Sequence, residues 1–154
     1  MTAHLGARLR DADGADGDDG NAIIEFVYLA ILLMVPLVYV LLTVFKVQGA
    51  AYAVSSAARE AGRVYATSEQ PADAYERAFA AASIVMADSG LELSRAQLQI
   101  DCVDCLQPGS TVPVVIDYDV ALPFLPRFLD GAAPASVQVT SHHLEVVDRF
   151  RAAP

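Results

Sequence analysis

Glu25 stands alone at the mouth of an otherwise uncharged run, and no other residue of this chain is so pointedly placed to do chemistry. From Phe26 to Phe45 there are twenty residues without a charge. At about 1.5 Å rise per residue, a helix of that length spans about 30 Å, the hydrocarbon thickness of a bilayer. A carboxylate at the edge of such a helix is unfavourable unless something positive meets it. The chemistry on offer is ion pairing in low dielectric, where removing one partner is strongly destabilising. A carboxylate can also be favoured by the positive end of its own helix, so both roles stand open. Five residues earlier, Gly20 closes a polar stretch and presents backbone with no side chain beside it.

The remaining reactive residues are sparse. Cys102 and Cys105 form a Cys-Val-Asp-Cys pair far from the apolar run. A structural zinc needs four ligands, and the chain offers two cysteines. His142 and His143 are adjacent, so on a strand they point to opposite faces; no metal and no cofactor is expected. A redox-active pair usually opens a helix, whereas this one comes after an alternating stretch and precedes Pro108-Gly109, which suits a turn. The pair is read as a disulfide of an oxidising exterior, with two free thiols as the alternative. Asp101, Asp104, Asp117 and Asp119 would surround a calcium ion if two loops met, but Asp117 and Asp119 alternate with Ile116, Tyr118 and Val120, the pattern of a strand's wet face. Phosphate-binding glycine loops, HExxH and GxSxG are absent. No catalytic residues are assigned, and the chain is not read as an enzyme.

Composition and period give the scaffold that carries these residues. Residues 1–20 are polar, rich in Asp and Gly, and bury too little to order themselves. Their five Asp and two Arg supply three of the nine net negative charges. Residues 21–46 are expected as a transmembrane helix interrupted by Pro36, and residues 47–154 as an α+β domain. The helix is expected to run on past Lys46, carrying Gly49, Ala53, Ala57 and Ala61 as a narrow stripe of small residues. That stripe would pack against a neighbouring helix or dock on the chain's own sheet. Glu60 and Arg63 lie one turn apart and can pair. A second helix is expected after Pro71, capped by Thr67 or Ser68, with Ala74, Tyr75, Ala78, Phe79, Ala82 and Met86 on one face and a stop at Gly90.

From Glu92 the period changes to two. Leu93, Leu98 and Ile100 are placed in a first strand, 112–120 in a second and 136–147 in a third. The fold class is therefore α+β: a long N-terminal helix, a second helix and a small antiparallel sheet of three or more strands. Between the last two strands, Pro123-Phe124-Leu125-Pro126-Arg127-Phe128-Leu129 is too apolar for a solvated loop and would cover the sheet or meet a partner. Ten basic residues scattered along the chain make no patch, which argues against nucleic acid as a partner.

Two local patterns, Gly20…Glu25-Phe26 and Ala57-Ala58-Arg59-Glu60-Ala61-Gly62-Arg63, are similar to those of type IV-type pilins. More narrowly, the chain resembles the TadE/TadG-like pseudopilins of tight-adherence (Flp) pilus systems. The resemblance covers about the first 65 residues. It implies processing of residues 1–20 by a prepilin peptidase between Gly20 and Asn21, which leaves Glu25 at position five with Phe26 beside it as assembly residues. The implied partners are that peptidase, other pilins or pseudopilins and the pilus assembly platform. The implied place is the bacterial cytoplasmic membrane, crossed once, with the C-terminal domain extracytoplasmic and an eventual site in a pilus at the cell surface. The charge bias does not set this orientation, since Arg8 and Arg10 precede the span while Lys46, Arg59 and Arg63 lie beyond it. An uncleaved single-pass protein with an extracytoplasmic binding domain is the alternative. So is release by signal peptidase near Gly49-Ala50-Ala51, leaving Tyr52 first.

Overall fold

Fifty residues, Asp18–Thr67, form one α-helix, α1, with Pro36 inside it. The computed structural model describes residues 18–102, 105–122 and 136–150. The helix passes Pro36 although proline removes one backbone donor, a loss that membrane helices tolerate. Asp18, Asp19 and Gly20 belong to its first turn, and the rest of the expected leader, residues 1–17, lies outside the described residues. The chain divides into two units, Met1–Leu42 and Thr43–Pro154. In the first, the apolar side chains from Ile23 to Leu42 other than the half-buried Tyr39 are exposed, and this part of α1 is long and apolar enough to cross a membrane.

The second unit begins within α1 and continues through α2 (Pro71–Asp88), β1 (Leu98–Ile100), β2 (Thr111–Ala121) and β3 (Ser136–Val146). Gln70 is the N-cap of α2, and no side chain caps it. Thr67 and Ser68, expected as caps, turn their hydroxyls back instead. Thr67 Oγ1 donates to Arg63 O and Ser68 Oγ to Val64 O, at 2.9 and 2.8 Å. Those carbonyls would otherwise lack partners at the C-terminal end of α1. The expected stop at Gly90 holds. Its φ is +71°, and Leu91 N–H reaches Met86 O while Gly90 N–H reaches Ala87 O, the closure that a left-handed glycine permits.

The first strand is shorter than its hydrophobic pattern suggests. Ser94 and Gln97 form a reciprocal capping box around a 3-10 turn at Arg95–Gln97, which leaves Leu93 outside the strand. The sheet order is β1-β2-β3, antiparallel throughout. On β2, Val112, Val114, Ile116 and Val120 are buried. Val112, Val114 and Ile116 join Ala74, Ala78, Ala82 and Met86 of α2 and the alanine-rich turns of α1 in one core. Register then fixes the face of β3. Glu145, His143, Ser141 and Val139 sit opposite Val112, Val114, Ile116 and Tyr118, and directly opposed residues share a face. Polar side chains thus point inward on β3 while Leu144 and Val146 point out. The segment 123–129 lies outside the described residues.

Candidate functional site

Asn21 and Glu25 are four residues apart on α1, so they occupy one face of the helix, separated by about 6 Å along its axis. Both are exposed, and Phe26 beside them is 72% exposed. No other described residue pairs with the Glu25 carboxylate. Gly20, the residue before Asn21, lies in the first turn of the same helix, where backbone N–H groups have no intrahelical partner. The four residues singled out in the sequence are therefore brought together by a single helical segment. Its geometry supplies an exposed carboxylate flanked by apolar surface.

The second pattern has a different use. Ala57, Ala58 and Ala61 are fully buried and Gly62 is buried with them, while Arg59, Glu60 and Arg63 stay at the rim. Of the two uses for the small stripe, docking on the chain's own domain is the one observed for Ala53, Ala57 and Ala61. Gly49 remains exposed. The close approach centres on Gly62. A Cβ built there would lie 3.1 Å from Glu145 Cβ, 3.1 Å from His143 Cδ2 and 3.5 Å from Val114 Cγ2.

Beside that contact the Glu60–Arg63 pair, expected from its spacing, meets His143 and Glu145 of β3, a meeting that sequence reasoning missed. Arg63 Nε donates to Glu60 Oε2 at 2.9 Å, and a second guanidinium nitrogen reaches Oε1. The hydrogen bonds from Arg63 hold the Glu60 carboxyl below its ordinary value, and Glu60 raises Arg63 in return. On β3, His143 Nε2 lies 2.9 Å from Glu145 Oε2. Together with Ser56 and Arg59 these side chains line an open groove. Ser56 makes no hydrogen bond to His143 among the described residues, so the groove holds no joined nucleophile and base. The one sequence hint of this meeting was a glycine, Gly62, next to the small-residue stripe of α1. Its partners came from a strand about eighty residues away.

Cys102 and Cys105 are joined as a disulfide, with their Cα atoms 5.4 Å apart. Cys105 is buried, and its carbonyl accepts from Ser110 Oγ at 2.6 Å. His142 is exposed on the outer face of β3, opposite in direction to His143. The aspartates do not gather. Asp117 accepts a hydrogen bond from Thr140 Oγ1 at 2.6 Å, Asp101 and Asp119 are exposed, and Asp104 lies outside the described residues. Among the described residues no three His, Cys, Asp or Glu side chains are arranged to hold a metal ion. A second hollow is lined by Ser68, Glu69, Gln70, Asp73, Glu76 and Arg77 and is acidic at its rim. Comparison with protein-family models, with curated proteins and with solved structures returned no match to this chain.

Proposed function

We propose that the chain is a minor pilin or pseudopilin of a tight-adherence type pilus or related secretion filament. It is held in the bacterial cytoplasmic membrane by α1 and matured by a prepilin peptidase that cuts between Gly20 and Asn21. The observation that carries this reading is the exposed Glu25, without an ion-pair partner among the described residues, beside Phe26 at the head of an apolar helix and five residues after Gly20. Cleavage would leave a free amine on Asn21. The carboxylate of one subunit then meets the amine of the next, and each charge is satisfied only when neighbouring helices are in register. Removing one partner of such a pair leaves the other charge desolvated and alone, which makes the pair a register device for bundling.

The small residues of α1 support the same division of labour. Ala53, Ala57 and Ala61 are consumed in holding the domain to its own helix, so the segment free to meet other subunits is the apolar stretch before it. The extracytoplasmic orientation of residues 47–154 rests on the resemblance and on the disulfide, which suits an oxidising compartment. Intact-mass measurement of the membrane-extracted protein tests the reading. A chain beginning at Asn21 is expected, and Gly20→Arg should abolish that product because the peptidase must admit a small residue beside the scissile bond. Retention of residues 1–20 in a host with the cognate peptidase would make the chain an uncleaved single-pass anchor. A start at Tyr52 would make it a released protein.

A further inference from the structure

The outer edge of β3 has hydrogen-bonding capacity that the described structure leaves unused. Val147, just past β3, donates its N–H to Ser110 O at 2.9 Å and accepts from Gly109 N at 3.0 Å, so its backbone points toward β2. Antiparallel ladders alternate residue by residue. The β2–β3 register runs without a bulge from Thr111↔Val146 to Ala121↔Ser136. Odd-numbered residues of β3 therefore bond to β2. The N–H and C=O groups of Ser136, Gln138, Thr140, His142, Leu144 and Val146 face the free edge. No described strand lies on that side.

Natural sheets guard such an edge with lysine, proline, bulges, short strands or inward-pointing charges, and the inward ionisable residues of β3, His143 and Glu145, sit only at its C-terminal end. β3 is eleven residues long and contains no Pro, Lys or Arg. It is about 36 Å of uninterrupted edge at 3.3 Å per residue. Next to it, Leu144 and Val146 expose 67% and 59% of their surface. Along Ser136–Ser141 the edge carries none of these guards.

We infer that its occupant is the β3 strand of a second copy of this chain, paired antiparallel about a two-fold axis at Ser141 to make one six-stranded sheet. The charge distribution is compatible with a second copy and selects the antiparallel direction. Every titratable side chain of β3 lies in its C-terminal half, at His142, His143 and Glu145, and Ser136–Ser141 is uncharged. Antiparallel self-pairing sets the titratable half of each strand against the uncharged half of the other. Glu145 comes opposite the partner's Val137 and His143 opposite the partner's Val139, so no like charges meet. Parallel pairing in register would stack Glu145 on Glu145, which is destabilising. With the axis at Ser141, all six outward-facing residues of each strand find partners, and the contact is isologous. The inference concerns the domain alone and does not depend on the pilin reading.

The test is made on the full chain in detergent micelles. Sedimentation should show a dimer for the native sequence. In the antiparallel register the two 141 positions form a non-hydrogen-bonded pair with Cα atoms about 4.5 Å apart, within disulfide range. Ser141→Cys should therefore cross-link under mild oxidation. Adding Thr140→Lys and His142→Lys sets lysine opposite lysine and should cut cross-linking about tenfold. The circular dichroism should not change, because both side chains are exposed in the single chain. Leu144→Lys provides a second variant at another exposed position and should act in the same direction. A native chain that stays monomeric at all concentrations overturns the inference, as it would if the edge took a different protein's strand or a segment of its own chain. A dimer that persists with full cross-linking in both lysine variants overturns it as well.

Discussion

Gly62→Ala sets two effects of known sign against each other at one atom. Gly62 lies in the interior of α1, and alanine is favoured over glycine there by about 1 kcal/mol. If nothing touched the site, the substitution would stabilise the protein by that amount. The new Cβ, however, would stand 3.1 Å from both Glu145 Cβ and His143 Cδ2, and 3.5 Å from Val114 Cγ2. Carbon atoms prefer about 3.5–4.0 Å. The His143 ring can rotate away only by leaving the Glu145 carboxylate, 2.9 Å from its Nε2. Glu145 Cβ is fixed to the strand backbone, and Val114 belongs to the central strand, so relief requires β3 to move off the helix. Overpacking of this kind costs about 1–3 kcal/mol. With the helix preference subtracted, the expected net loss for Gly62→Ala is about 1 kcal/mol, and Gly62→Val should lose more. Gly49→Ala is the matched control, since nothing lies within 4 Å of a Cβ there, and it should show the helix preference without the clash. Urea unfolding of the full chain in micelles, monitored by circular dichroism, gives both values. A gain of about 1 kcal/mol for Gly62→Ala, equal to that of Gly49→Ala, would refute the close approach of α1 to β3.

Glu25→Gln should leave insertion and cleavage intact yet sharply reduce the processed protein recovered in sheared surface filaments, or the pilus number; normal output from a correctly processed variant removes the register role. Met86 is fully buried at the end of α2, so Met86→Ala should lower unfolding stability by about 2–5 kcal/mol, and a change within about 0.5 kcal/mol, the size of an ordinary surface substitution, would contradict its place in the core. Hydrogen bonds from Arg63 and Arg95 lower the pKa of Glu60 and Glu76 in the folded state. Their contribution is complete above the ordinary glutamate value near 4.5 and fades as pH falls through the folded values. Both sites are exposed, so the melting temperature should fall only slightly more on acidification for the native chain than for Glu60→Gln/Glu76→Gln; parallel pH profiles would speak against those pairs. Protease treatment of intact protoplasts should digest residues beyond 50, and protection there would reverse the proposed orientation.

The elements whose signals are local were legible in the sequence. The apolar run of α1 shows its length without reference to any partner, and Ala74, Ala78, Ala82 and Met86 show the 3.6-residue period that α2 buries. The alternation of 112–120 and 136–147 marked β2 and β3 to within a residue or so at each end, and Gly90 marked its own left-handed turn. The misses came where two plausible uses of one residue competed. Ser68 is as good a cap for α2 as a partner for the last carbonyls of α1, and only the positions of Val64 O and Gln70 decide between them. Leu93 fits a strand period, but the Ser94–Gln97 box closes a turn first.

The membrane-length helix, the lone carboxylate at its head with Gly20 and Phe26, and the α+β order of residues 47–154 are all legible in the chain as written, because each depends on adjacent residues. Which side of each element is buried, and against what, came only with the tertiary fold. There the small stripe of Ala53, Ala57 and Ala61 is spent on the chain's own domain. The β2–β3 register turns Ser141, His143 and Glu145 inward and leaves Leu144 and Val146 outside. Those outcomes depend on residues far apart in the chain meeting within a few ångströms. Period alone cannot choose the meeting partner when a strand carries polar side chains on one face and apolar ones at the end of the other.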